Sequence, residues 1–229
     1  MEGLPEYMKP LYNEIVTLFK ETEEKLDEEG YPNQIGYVGL GIESVQLTIY
    51  FFLVSLQLQE LFWAYFKEAE WHHKGYTPGT EEYLHVATKS AGYHALCTLT
   101  MVFMKEASIE AFEWSKSYPK IIQSVAEMSR LMDDFASHEF EQERSHIPSS
   151  VECFMEEKGK TKEEVHGMFK SFYHQTWKDV NEACLRPTPF PMCIIGKPVN
   201  LARVIEALYY GNGKDEYTFS AGRIKEMIT

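Results

Sequence analysis

The chain has 229 residues, 44% of them hydrophobic and 14% aromatic, and carries a formal net charge of −13. That is the composition of a globular domain with a full core, which excludes a disordered segment. The negative balance argues against nucleic acid or an anionic membrane as the main partner but leaves small anionic ligands open, since those need only a local basic group or a bound metal.

Four cysteines, Cys97, Cys153, Cys184 and Cys193, form no Cys-x-x-Cys pair. Structural zinc and a disulfide framework are therefore not expected, and a reducing, cytoplasmic setting is. The start, Met1-Glu-Gly-Leu-Pro-Glu, has none of the basic and apolar regions of a signal peptide. The most apolar run, Leu47 to Leu58, is too short to span a bilayer.

Apolar residues at Met8, Leu11, Tyr12, Ile15, Leu18 and Phe19 predict a helix over 4–29, stopped at Gly30. Between Tyr31 and Gln59 the character changes. Gly36, Gly39 and Gly41 lead into Thr48-Ile-Tyr-Phe-Phe-Leu-Val-Ser55, a β-branched and aromatic run that reads as a strand or a buried segment of uncertain type. Helical patterning resumes near Glu60 and runs to Lys74, before Gly75. Thr80 can cap a long helix to about Met104, interrupted at Ala91-Gly92. A mid-helix glycine costs ~1 kcal/mol against alanine, so it marks a bend or a close approach.

A short helix is expected over Ile109–Lys116, and Pro119 opens a longer one that must end before Pro148. Val151–Lys158 follows, stopped by Gly159. Thr161-Lys-Glu-Glu164 is a capping box for a helix reaching about Ala183. Arg186-Pro-Thr-Pro-Phe-Pro191 is a rigid connector. Pro198–Tyr210 is expected as helix, 211–214 as loop and Phe219–Thr229 as a last helix. No repeat, linker or βαβ rhythm interrupts this order, so the fold class is all-α, a helical bundle.

The helix after Pro119 holds the only adjacent aspartates in the sequence. Asp133, Ser137 and Glu141 stand at i, i+4 and i+8, so three oxygen side chains share a face, with Arg130 and Arg144 at its two ends. The five occupy an arc of about 80°, at ~100° per residue. Ile121, Val125, Met128, Leu131, Met132 and Phe135 lie opposite. That pattern fits a solvated face. It also fits a site for Mg²⁺, which takes oxygen ligands and retains waters. Beyond Phe135 the opposite side turns polar as well, through Glu139, Gln142 and Glu143, as at the mouth of a wet site.

Arg130-Leu-Met-Asp-Asp-Phe-Ala-Ser-His-Glu-Phe-Glu-x-x-Arg144 resembles the second metal-binding motif of plant class I terpene synthases, Asn/Asp-Asp-x-x-Ser/Thr-x-x-x-Glu preceded by Arg. The resemblance extends to Ala64-Tyr-Phe-Lys-Glu-Ala-Glu-Trp71, Gly75-Tyr-Thr-Pro78 with Glu82-Tyr83, and Phe112-Glu-Trp114. It continues through Val151-Glu-Cys153, Trp177-Lys-Asp-Val-Asn181, Leu185-Arg-Pro-Thr-Pro189 and Asn200-Leu-Ala-Arg203. It covers Leu4 to about Gly30 and Glu60 to Thr229, and is strongest for the sesquiterpene synthase branch. Residues 1–229 thus look like part of a C-terminal metal-binding domain, a partial class I terpenoid synthase α-helical bundle, with a non-matching segment at about 31–59. A Gly-rich start and an apolar end closing in Leu-Gln would also suit a translated, unspliced intron. Transcript reads lacking the segment would support that origin, and reads that all contain it would sink it.

The resemblance implies Mg²⁺-dependent ionisation of a prenyl diphosphate, farnesyl diphosphate by branch, and carbocation cyclisation to a sesquiterpene. Mg²⁺ is the implied cofactor, with Mn²⁺ as its substitute. Asp133, Ser137 and Glu141 resemble the ligands of one metal ion, and Arg130 and Arg144 the groups facing the substrate diphosphate. Tyr210, Asp215 and Tyr217 resemble the catalytic tyrosine–aspartate set of a closing loop, and Ser90-Ala-Gly-Tyr93 a broken helix at the pocket floor. The expected partner is the substrate alone, with no nucleic acid or membrane, and the expected state a monomer. The sequence contains no Asp-Asp-x-x-Asp, the family's first metal motif. The alternative reading is therefore an inactive fragment or pseudoenzyme that keeps one Mg²⁺ site.

Overall fold

Between Glu43 and Lys74 the chain has neither glycine nor proline, and in the computed structural model all 32 residues form one helix, α1 (Glu43–Lys74). The structure describes residues 43–102, 104–143 and 147–210, together with Lys9, Pro10, Asn13 and Thr17. The helices expected over 4–29 and Phe219–Thr229 lie outside this set, apart from those four helical positions or not at all. Of the two readings of Thr48–Ser55, the strand is corrected: the backbone is helical and continuous with the run from Glu60. Strand-favouring side chains cost a helix only a few tenths of a kcal/mol each, too little to interrupt one that has no breaker.

After Gly75, which sits at φ +59°, come α2 (Thr80–Ser90) and α3 (Tyr93–Val102). The interruption expected at Ala91-Gly92 separates them. Gly92 takes φ +76° and divides them. A Cβ there would meet nothing nearer than Leu61 Cδ1 at 3.9 Å, so the backbone angle, and not crowding, requires glycine. Thr80 is the first helical residue and not the cap, which falls at Gly79. The helix start is satisfied from elsewhere in the fold: the Glu157 carboxylate accepts from Thr80 N (2.5 Å) and from the Thr80 hydroxyl.

The next elements follow their local signals. Ser108 caps α4 (Ile109–Lys116) by accepting from Ala111 N, and Pro119 stands at the cap of α5 (Lys120–Gln142). Capping boxes start α6 (Ser150–Lys158) and α7 (Lys162–Ala183), at Ser149/Glu152 and Thr161/Glu164. Gly159 ends α6 in the left-handed conformation.

The last helix among the described residues, α8 (Met192–Ile205), begins earlier than the expected Pro198 and contains that proline, then passes into a π turn over Glu206–Tyr210. An internal proline costs ~3 kcal/mol. Here Ile194, Ile195, Pro198, Ala202 and Ile205 form one buried stripe, and burying side chains of this size is worth ~1.5–3 kcal/mol each. The core therefore overrides the local penalty.

α5 is the hub, packed against α2, α3, α6, α7 and α8. Its residues Ile121, Ile122, Val125 and Met128 join Cys97, Tyr173, Ile195 and Ile205 in the main core cluster. Cys97 and Cys153 are buried, and His72 and His73 are exposed. No strand occurs among the described residues.

Candidate functional site

The structure keeps Arg130, Asp133, Ser137 and Glu141 on α5 and decides what kind of face they form. Ser137 is 7% exposed, the Arg130 side chain 19% and the Asp133 side chain 33%. Glu141 is half-buried. An ordinary solvated stripe would not bury its serine and half-bury its arginine. The turn after Phe135 is also less wet than the sequence suggests: Glu139, Gln142 and Glu143 are exposed, but His138 is buried beside Ser137. Arg144, Asp215 and Tyr217 lie outside the described residues. Of Tyr210 only the backbone, closing the π turn, is described.

The second aspartate of the pair, given no role by sequence reasoning, is the centre of the polar network. Asp134 is 3% exposed. Its Oδ2 accepts from the Tyr83 hydroxyl at 2.6 Å and from Ser150 N at 2.9 Å. Its Oδ1 accepts from Arg130 Nη1 at 3.2 Å. Arg130 Nε donates to Ala87 O at 3.4 Å, and Nη1 stands 3.6 Å from Asp133 Oδ2. One guanidinium therefore lies between the two carboxylates, tied to α2 through Ala87. The adjacency Asp133-Asp134 could have signalled two roles, since neighbours on a helix point ~100° apart.

Glu68 belongs to the same interior. It is 9% exposed and accepts from Ser90 Oγ at 2.5 Å, at the α2–α3 break. Burial alone would weaken the Arg130 charge. Asp134 first, then Tyr83, Glu68 and Asp133 more than restore it, and the guanidinium is held well above its ordinary range. Burial, reinforced by Asp134, pushes the Tyr83 hydroxyl well up. It also pushes the Glu68 carboxyl up, with Arg130 and Ser90 pulling the other way.

For an acid whose folded pKa is raised, folding favours the protonated form. The contribution of Glu68 is thus present below its unfolded value of 4.5 and is lost as pH rises toward its higher folded value. Glu68→Gln is therefore expected to flatten the decline in unfolding free energy across that window. Urea unfolding at pH 4 and pH 7 checks this, and parallel slopes for variant and wild type would contradict it.

Charge and donor chemistry test whether this face could hold a metal. Asp133, Asp134 and Glu68 supply three carboxyls against one guanidinium, so a bare anion would meet an acidic surround. Two carboxylates and a hydroxyl on successive turns are all-oxygen donors, suited to a hard divalent ion that keeps part of its water. The residues present fit one such ion. Among the described residues no group of three or more His, Cys, Asp or Glu side chains could hold a metal by itself.

A cavity of about 660 Å³ opens elsewhere, between α2 and α5, lined by Leu84, Thr88, Tyr118, Gln123 and Glu127 among others. None of Arg130, Asp133, Ser137 or Glu141 borders it. Among the described residues no helix is long and apolar enough to cross a membrane.

In comparison with known proteins, residues 1–179 match the family model described as terpene synthase family, metal binding domain. The whole chain aligns at 38% identity with a sesquiterpene synthase of Santalum spicatum and at 40% with terpene synthase 2 of Piper nigrum. In each case it spans 38% of the relative's length. It also resembles the crystal structure of isoprene synthase from grey poplar leaves (Populus x canescens) in complex with three Mg²⁺ ions and dimethylallyl-S-thiolodiphosphate. The TM-score is 0.70 at 24% identity, over 91% of this chain and 37% of that one. That likeness is one of fold.

Proposed function

This chain belongs to the terpene synthase family, and from that premise we propose that α5 carries one half of a site that ionises a prenyl diphosphate, farnesyl diphosphate in particular, toward a sesquiterpene. The observation that carries the reading is a buried Ser137 on one face with a half-buried Arg130 and Asp133, Arg130 being held in place by Asp134 and Ala87. An acidic face with one anchored guanidinium suits an anion that arrives with its own metal.

Asp133, Ser137 and Glu141 would hold Mg²⁺. Bound there, the ion would supply Lewis-acid stabilisation of charge developing on the diphosphate oxygens. Arg130, always protonated, would donate to those oxygens, and Arg144 would lie near the same anion. The helix break at Ser90–Gly92 would bring backbone close to the hydrocarbon end of the substrate. Tyr210, Asp215 and Tyr217 would belong to a segment that closes over the site and excludes water.

The test is incubation of the purified chain with Mg²⁺ and farnesyl diphosphate, followed by assay of diphosphate release and volatile products. Release is expected, and its loss in Asp133→Ala. The second reading is of a chain that holds one metal ion without ionising anything. No release from wild type, together with Mg²⁺ binding that disappears in Asp133→Ala, would select that reading.

A further inference from the structure

We propose that Asp134 is a positioning residue: held by the Tyr83 hydroxyl and the Ser150 amide, it fixes the Arg130 guanidinium beside Asp133. The proposal rests on the reading above, in which that face receives a metal-bound diphosphate.

An arginine on a helix edge carries ~2 kcal/mol of rotamer entropy that must be lost before it can act as an oriented donor. Here two bonds remove that freedom in advance. Asp134 Oδ1 takes Nη1 and Ala87 O takes Nε, at 3.2 Å and 3.4 Å. These two points, with the covalent attachment at Cδ, define the guanidinium plane. They use two of its five N–H donors, and Nη2 makes no hydrogen bond among the described residues.

Asp134 could only do this if it were itself immobile. Its Oδ2 is shared by Tyr83 of α2 and by the first amide of α6, so donors from two other helices hold it. The N-terminal end of α6 also favours the carboxylate charge. Tyr83 is fixed in turn, 3% exposed and stacked at 6.5 Å against Trp71. The orientation is thus set by groups of α2, α5 and α6 themselves, which is the form that preorganised electrostatic stabilisation requires.

The full chain is titrated by calorimetry with Mg²⁺, then with inorganic pyrophosphate at saturating Mg²⁺. Wild type, Tyr83→Phe, Asp134→Asn and Asp133→Ala are compared. In parallel, hydrogen exchange of the Arg130 Nε–H is followed by NMR in the ligand-free proteins. Tyr83→Phe and Asp134→Asn are expected to weaken pyrophosphate binding by about tenfold, the low end for losing a supporting partner. Mg²⁺ affinity should stay close to wild type in Tyr83→Phe, and the Arg130 Nε–H should lose its slow exchange in both variants. A purely structural role would lower the unfolding midpoint while leaving the pyrophosphate affinity and the Arg130 signal unchanged, and that result overturns the proposal. If wild type binds no pyrophosphate with Mg²⁺, the functional reading fails. The Arg130 exchange then decides the positioning role alone: unchanged protection in Asp134→Asn defeats it.

Discussion

Asp134→Ala is expected to destabilise the fold by about 3–5 kcal/mol, the range for removing one member of a buried ion pair. The substitution leaves Arg130 charged and largely buried, with the bond to Ala87 O and a single carboxylate contact, to Asp133 at 3.6 Å, remaining. It also strips the acceptor from the Tyr83 hydroxyl and from the first amide of α6. In urea unfolding the midpoint should fall sharply at unchanged slope. In a thermal scan the shift should be on the order of 10 °C for a chain of this size. Asp133→Ala, one residue away, should cost under about 1 kcal/mol, because its side chain is 33% exposed. The pair should therefore separate in stability, with the large cost at Asp134 and the small one at Asp133. Equal stability losses at both positions would refute that division. Tyr83→Phe combined with Asp134→Ala should cost less than the sum of the two, since each removes the same bond.

Phe169→Ala should cost a similar ~3–5 kcal/mol by opening a cavity in a packed core. Phe169 on α7 is 2% exposed and lies in a cluster with Leu131, Val151, Phe154 and Val165. It therefore joins α7 to both α5 and α6. Its ring meets Phe154 edge-on at 5.3 Å and 86°, and Phe135 at 6.5 Å and 80°, contacts that add ~0.5–1.5 kcal/mol each beyond the buried area. Phe172, nearly one turn further along, is the internal control. It is 40% exposed and touches Phe154 only at 6.2 Å, so Phe172→Ala should cost about 1 kcal/mol or less. Denaturant midpoints for the two variants measure the difference, and a cost for Phe169→Ala below that of Phe172→Ala would contradict this core assignment.

Local chemistry by itself determined most of the helix boundaries. The Thr161/Glu164 capping box, the left-handed Gly159 and the Ser90–Gly92 break act through bonds and backbone angles between neighbours, which is why they could be read without a fold. The shared face of Asp133, Ser137 and Glu141 follows in the same way from helical period. Only the tertiary structure decided the rest. It continued a helix through Thr48–Ser55, and it began α8 at Met192 in spite of Pro198 because the buried stripe outweighs the proline. It also gave two adjacent aspartates opposite environments. Tyr83 and Ser150 stand 51 and 16 residues from Asp134, so their donors meet it only once α2, α5 and α6 have packed. Periodicity could place Arg130, Asp133 and Ser137 on one face. Burial, which depends on what packs against that face, is what distinguishes an anchored site from a wet helix.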